Sequence, residues 1–236
     1  MNLKIKHQLI IAFIAISAIS ILISSFLIGN NAITESEVAI KHQVEQKLIA
    51  ARDLKKSQII DYFTLIDNQI KVASSSPWII DAADYFKQAF FDYPLQTGGK
   101  IDTASINRYY NDDFDRVFKE NNNGKSANTS QLLSSISDNA LFLQQDYITN
   151  NPNPLGSKDA LTDTKNGSAY NVLHTEYHPT LRKYLQTYGF YDIFIVEPDT
   201  GHIVYSVFKE LDFATSLTSG PYSNSGLAKA FELGMQ

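Results

Sequence analysis

His174 and His178 stand four residues apart, with Glu176 between them. On an unbroken helix that spacing puts both imidazoles on one face, where two rings can share a divalent metal. The zinc-protease pattern needs a Glu directly after its first His, and Thr175 holds that place. Pro179 sets His178 at a helix junction, and no third ligand is apparent. Metal binding is therefore not expected, and His202, at the start of a strand, reads as structural. The chain has 0 Cys, which excludes disulfides, thiolate-bound zinc and thiol nucleophiles. It carries no phosphate loop, nucleophile elbow or kinase signature. Asp112, Asp113 and Asp115 form an acidic cluster whose default is a solvated helix face. No catalytic constellation assembles, so no enzyme activity and no cofactor are expected.

Binding is easier to argue. Arg182 and Tyr184 end a helix that feeds a hairpin, while Tyr191, Tyr205, Lys209 and Asp212 sit on its strands or just beyond. A helix-covered sheet face with tyrosine hydroxyls and one Arg makes a small-ligand cavity, where the guanidinium holds a carboxylate through two parallel hydrogen bonds. The competing reading puts the tyrosines in the core and the charges on the surface, where such residues usually lie. Both stand on the sequence alone, and these six residues are the candidate ligand contacts.

The hairpin has two arms, 191–196 and 202–208, rich in β-branched and aromatic residues. Pro198-Asp199-Thr200-Gly201 joins them, with Pro pre-setting the first turn position and Gly supplying the positive φ of the last. Alternation puts Ile193 and Ile195 on one face of the first arm, and Ile203, Tyr205 and Val207 on one face of the second. Two strands do not make a stable sheet alone. The sequence stops inside a helical pattern, so an α+β fold whose antiparallel sheet continues beyond Gln236 is expected.

Upstream, Lys4 and Lys6 precede an uncharged apolar run at 8–28, close to the ~20 residues a helix needs to cross a bilayer. The positive flank keeps 1–7 in the cytoplasm and exports the rest. The run exceeds the ~7–15 residues of a cleavable signal core and lacks a clear cleavage site, so an uncleaved anchor is expected. Gly29-Asn30-Asn31 marks the membrane exit, and Thr34 with Glu37 has capping-box form. Ile40, Val44, Leu48, Ile59, Phe63, Ile66 and Ile70 then recur at helical spacing among charges. A helix this long leaving a membrane usually needs a partner, so a homodimer is expected. Ser76-Pro77 ends that helix and starts the next. Further helices are expected over 78–91, 103–119, 130–148 and 168–186, the last broken at Pro179. Loops fall at Tyr93-Pro94 with Gly98-Gly99, at 121–128 and from Asn150 to about 167. Residues 34–187 thus form a mainly helical exported segment, and 188–236 begin the sheet. The net charge of -5 argues against a nucleic-acid partner.

Within 188–231, Gly189-Phe190-Tyr191-Asp192-Ile193-Phe194-Ile195-Val196, Asp199-Thr200-Gly201 and Ile203-Val204-Tyr205-Ser206-Val207-Phe208-Lys209-Glu210 resemble the sensory half of Cache domains. Asp212 to Leu217, Gly220-Pro221-Tyr222 and Ser225-Gly226-Leu227-Ala228 extend the likeness. These are the PAS-like extracytoplasmic sensors of bacterial methyl-accepting chemotaxis receptors. Asn151-Pro152-Asn153-Pro154-Leu155-Gly156-Ser157-Lys158 also resembles a loop in a subset of them. The resemblance implies a receptor in the cytoplasmic membrane with most of this chain in the periplasm. It would bind a small molecule, dimerise, and signal to cytoplasmic partners through a C-terminal module absent from these residues. The same sensor on a cyclase or histidine kinase, or a membrane-tethered adaptor, remains open.

Overall fold

The structure is a computed structural model and describes residues 4–235. Residues 1–3 of the expected cytoplasmic terminus, and Gln236, lie outside the described residues. The chain divides into two compact units, meeting between Val72 and Ala73.

The first unit is almost wholly helix α1, Ile5–Ser74, and no residue of that helix is buried. Its most apolar stretch reaches a mean hydropathy of 2.6, which makes it long and apolar enough to cross a membrane. Gly29-Asn30-Asn31, read as the membrane exit, are all helical, so α1 runs on through them. The Thr34 hydroxyl donates to the Asn30 carbonyl at 3.0 Å, so it bonds back along the helix instead of capping a new one.

The second unit is α+β and mostly helical. Ser76 is extended (φ -70°, ψ 128°) and Pro77 opens α2, Pro77–Thr97. The loop expected at Tyr93-Pro94 is helix instead. Tyr93 is fully buried and its hydroxyl donates to Asp146 at 2.5 Å, so tertiary contacts hold the residue before the proline helical. The single helix expected over 103–119 is a relay: α3, Thr103–Arg108, a π-helical stretch Tyr109–Phe114, and α4, Asp115–Asn121. The wide turn lets two consecutive tyrosines, Tyr109 and Tyr110, both be buried. The helix expected over 130–148 breaks between α5, Thr129–Ser134, and α6, Asp138–Gln144, and runs into a second π-helical stretch, Gln145–Thr149. Ser137 caps α6 by accepting from the Ala140 amide at 3.4 Å. Helix α7, Ala169–Tyr188, passes through Pro179 unbroken and ends at Gly189, which is left-handed (φ 70°).

Strands β1, Phe194–Val196, and β2, Ile203–Ser206, pair antiparallel, with Phe194 opposite Ser206 and Ile195 opposite Tyr205. They are shorter than the expected arms, and a bulge follows Ile195, so that Val196 lies opposite Ile203. The expected alternation is overridden, because all four β2 residues are buried. Val204 and Tyr205 join the main core with Phe86, Tyr147, Tyr170 and Phe213. Ile203 packs with Leu217 and Ala228, the latter on α8, Gly226–Gly234. Residues 214–217 return along β2, with Ile203 donating to Thr215 and receiving from Ala214. At the turn, Gly201 has φ 69°, and a Cβ there would lie 2.8 Å from the Thr218 side chain, so only glycine fits.

Candidate functional site

A cavity of about 340 Å³ opens in the second unit. Five segments build it. The first π-helical stretch supplies Tyr109 and Phe114, and the polar loop supplies Leu155, Gly156 and Lys158. Tyr191 stands before β1, the segment after β2 adds Phe208, Lys209, Glu210, Leu211 and Asp212, and Tyr222 precedes α8.

The loop wall is held by Asn151. Its amide nitrogen donates to the Tyr147 and Lys158 carbonyls, each at 2.9 Å, and its oxygen accepts from the Asn153 amide at 3.0 Å. The Lys158 ammonium donates back to the Asn151 carbonyl at 2.8 Å and lies over the Tyr109 ring, 5.1 Å from its centre. Burial pushes that ammonium below its ordinary range.

Of the six residues singled out in the sequence, Tyr191, Lys209 and Asp212 line the cavity, and Arg182, Tyr184 and Tyr205 do not. Arg182 donates through Nε to Asp159 at 2.8 Å. Tyr184 packs against Tyr188 and Phe190, ring centres 4.6 and 5.8 Å away. Tyr205 is fully buried beside His178.

Lys209 sits just past β2 with φ 57°, and its side chain leaves the wall for the core. There the ammonium donates to the Ser206 carbonyl and lies over the rings of Tyr205, Phe213 and Tyr147, at 4.6, 5.4 and 5.9 Å. Burial pulls it down to about 7, against the charges of Asp192 and Asp159. Asp192 accepts through Oδ1 from the amides of Ile193, Val207 and Phe208 at 2.6, 3.0 and 3.2 Å. Its Oδ2 is buried without a partner, and burial raises the carboxyl to about 6. Asp212 keeps Oδ1 buried with no hydrogen-bond partner. Burial, then Asp192 and Glu210, push it up to about 7 against a smaller pull from its own and the Phe213 amide. Glu210, exposed, accepts the Tyr191 hydroxyl at 2.8 Å, and that bond first of all raises the phenol to about 12.

The histidines lie in the core, their rings stacked 4.3 Å apart. His178 Nε2 meets the Asp159 carbonyl at 2.7 Å, so it carries the proton, and Nδ1 accepts the Tyr205 hydroxyl at 2.7 Å. His174 Nδ1 donates to the Thr162 carbonyl at 2.8 Å, leaving Nε2 buried and unpaired. Burial and the nearby Lys209 charge keep both rings neutral, His178 falling to about 3. The His178 ring is thus committed at both nitrogens and the His174 ring at Nδ1 alone. Among the described residues, no group of three or more His, Cys, Asp or Glu side chains is placed to hold a metal.

Sequence reasoning missed Tyr109, Phe114, Lys158 and Tyr222. The consecutive tyrosines at 109–110 were the available signal, since an ordinary helix does not bury two neighbours equally. No family model, curated protein or solved structure matches the chain.

Proposed function

We propose that this chain is the sensing part of a signal-transducing membrane receptor of the methyl-accepting chemotaxis type. Residues 8–28 anchor it in the inner membrane, with the N-terminus in the cytoplasm and the second unit in the periplasm. A small molecule enters the cavity beside the hairpin. Its binding favours one packing of the exposed part of α1 against the same helix of a second copy, and a cytoplasmic module reads that change. A ligand shifts such an equilibrium only by its differential affinity for the two states.

The observation that carries this reading is the cavity itself, ~340 Å³, whose lining includes Asp212, a carboxylate with one buried oxygen lacking a hydrogen-bond partner. That volume falls at the lower end of the ~300–1,000 Å³ usual for small-molecule sites. The apolar, unburied α1 with Lys4 on its N-terminal side supports the anchor and its orientation.

Because the chain has 0 Cys, single introduced cysteines report cleanly. A membrane-impermeant maleimide should label Ser126→Cys but not Lys4→Cys in intact cells; the reverse pattern sinks the orientation. Cysteines at Phe63, Ile66 and Ile70 should cross-link between copies in membranes, to an extent that changes with ligand. Unchanged cross-linking at saturating ligand would remove the signalling step.

A further inference from the structure

We infer that the cavity takes a small organic cation, a protonated or quaternary amine, with the Asp212 carboxylate as its counter-charge. This deepens the sensing proposal and rests on it. The polar groups of the wall differ in whether they already have partners. The Lys158 ammonium is held by the Asn151 carbonyl at 2.8 Å, and the Lys209 ammonium by the Ser206 carbonyl. The Tyr191 hydroxyl donates to Glu210 at 2.8 Å. Each of these three groups thus already has an acceptor inside the protein, while the buried Asp212 Oδ1 has no donor at all.

The rest of the wall suits a cation. Phe114, Phe208 and Tyr222 give it an aromatic lining beside Tyr109, whose ring already carries the Lys158 ammonium, and a ring face attracts an ammonium, best when water is excluded. A bare metal ion would need ~6 oxygen ligands, which this wall does not supply. An anion would meet Asp212 and Glu210, while the Lys158 and Lys209 ammonium groups turn to the backbone carbonyls of Asn151 and Ser206. Arg182, the expected carboxylate clamp, is tied to Asp159 and is not on the wall.

The charged and titratable groups acting on Asp212 are Asp192, Glu210 and the tyrosines Tyr222, Tyr110 and Tyr191, with Lys209 acting on Asp192. Burial and the two carboxylates hold Asp212 at about 7. A cation therefore binds more tightly as pH rises through that value, since only the ionised carboxylate attracts it.

The test is calorimetric titration of the full chain in lipid nanodiscs at pH 8. The probes are butylammonium and tetramethylammonium, set against butyrate. The ammonium ions should bind and butyrate should not. Asp212→Asn, which keeps the shape, should weaken butylammonium by about tenfold or more, the worth of one charge-assisted hydrogen bond. Arg182→Gln should leave it unchanged. Glu210→Gln, at an exposed position, should weaken both cations by a smaller factor and covers the case in which Asp212→Asn misfolds. Binding of butyrate overturns the proposal, as does butylammonium binding indifferent to both carboxylate variants. Leu155→Trp, which fills the cavity, separates the two levels. If butyrate binds the parent but not Leu155→Trp, the cavity remains the ligand site and only the charge assignment fails. If no probe of either charge binds, both fail.

Discussion

Two buried polar clusters of the second unit feel the same cation, Lys209, and are satisfied differently. In the histidine cluster, three of four ring nitrogens have partners, and two of those partners are backbone carbonyls. Backbone carbonyls accept and never donate, so each ring is fixed in one neutral tautomer. In the carboxylate cluster, Asp192 and Asp212 each keep a buried oxygen without a donor, and their acid ranges rise to about 6 and 7. The histidine cluster, closed by backbone and tyrosine atoms at every ring nitrogen but His174 Nε2, specifies the fold. A cluster left open holds the fold back and favours whatever closes it.

The largest expected effect that tests this contrast is on the closed cluster. His178→Ala removes a ring bonded at both nitrogens and strands the Tyr205 hydroxyl and the Asp159 carbonyl. Stranding buried groups at ~1–3 kcal/mol each, plus the void, should cost about 4 kcal/mol in chemical unfolding of the full chain in micelles. A loss below about 1 kcal/mol would show the cluster to be dispensable.

Next comes the open cluster, with the opposite sign. Asp212→Asn should stabilise the protein by about 2 kcal/mol at pH 8, and the gain should shrink to nothing toward pH 4. The sign follows from linkage. The folded carboxyl, at about 7, holds a proton that the unfolded chain has released above about 4. Ionising it therefore costs stability, increasingly as pH rises from about 4 to about 7. A gain that is flat with pH would place the carboxyl in solvent.

A smaller effect sharpens the same picture. The buried histidines make the unfolded chain take up protons below about 6.5, so they alone would lower stability as pH falls. Native protonation of Asp192 and Asp212 opposes this over roughly pH 4–6. The parent's stability should therefore be nearly level there, and the Asp212→Asn variant should slope downward toward acid. The smallest change belongs to Arg182→Ala. Its guanidinium is 37% exposed, but the paired Asp159 side chain is only 10% exposed and loses its donor, so about 1 kcal/mol should be lost, the low end for a stranded buried group. No measurable loss would show that water replaces the guanidinium as in a surface pair.

What the sequence made legible was local. Ser76-Pro77 opened α2 as expected, and the Asp102 carboxylate caps α3 by accepting from the Ser105 amide at 3.0 Å. Signals that reach only a few residues worked because the forces behind them do too. Pro94 and Pro179 misled because a residue before a proline leaves the helix only when nothing holds it. Tyr93 and His178 are both buried and held by partners distant in sequence. The candidate site divided the same way. Tyr191, Lys209 and Asp212 belong to one contiguous stretch, and the structure keeps them together. Arg182 was assigned to a carboxylate ligand, yet its partner is Asp159, a side chain 23 positions earlier that no spacing rule pairs with it. Lys158 was hidden inside an irregular loop, where no periodicity marks which side chain turns inward.

The two π-helical stretches, Tyr109–Phe114 and Gln145–Thr149, each hold a residue more than a regular turn would. An in-frame loss of a single codon is ordinarily among the harshest lesions a helix can suffer, because everything beyond it is rotated by about 100°. Here, removal of Asn111 would take out the extra residue of the first stretch, and with it the side chain that accepts the buried Thr129 hydroxyl at the start of α5. The same wide turn buries both Tyr109 and Tyr110 and sets Phe114 on the cavity wall. One codon at this point therefore ties the shape of the wall to the packing of the core, so the lineage cannot alter the first without disturbing the second.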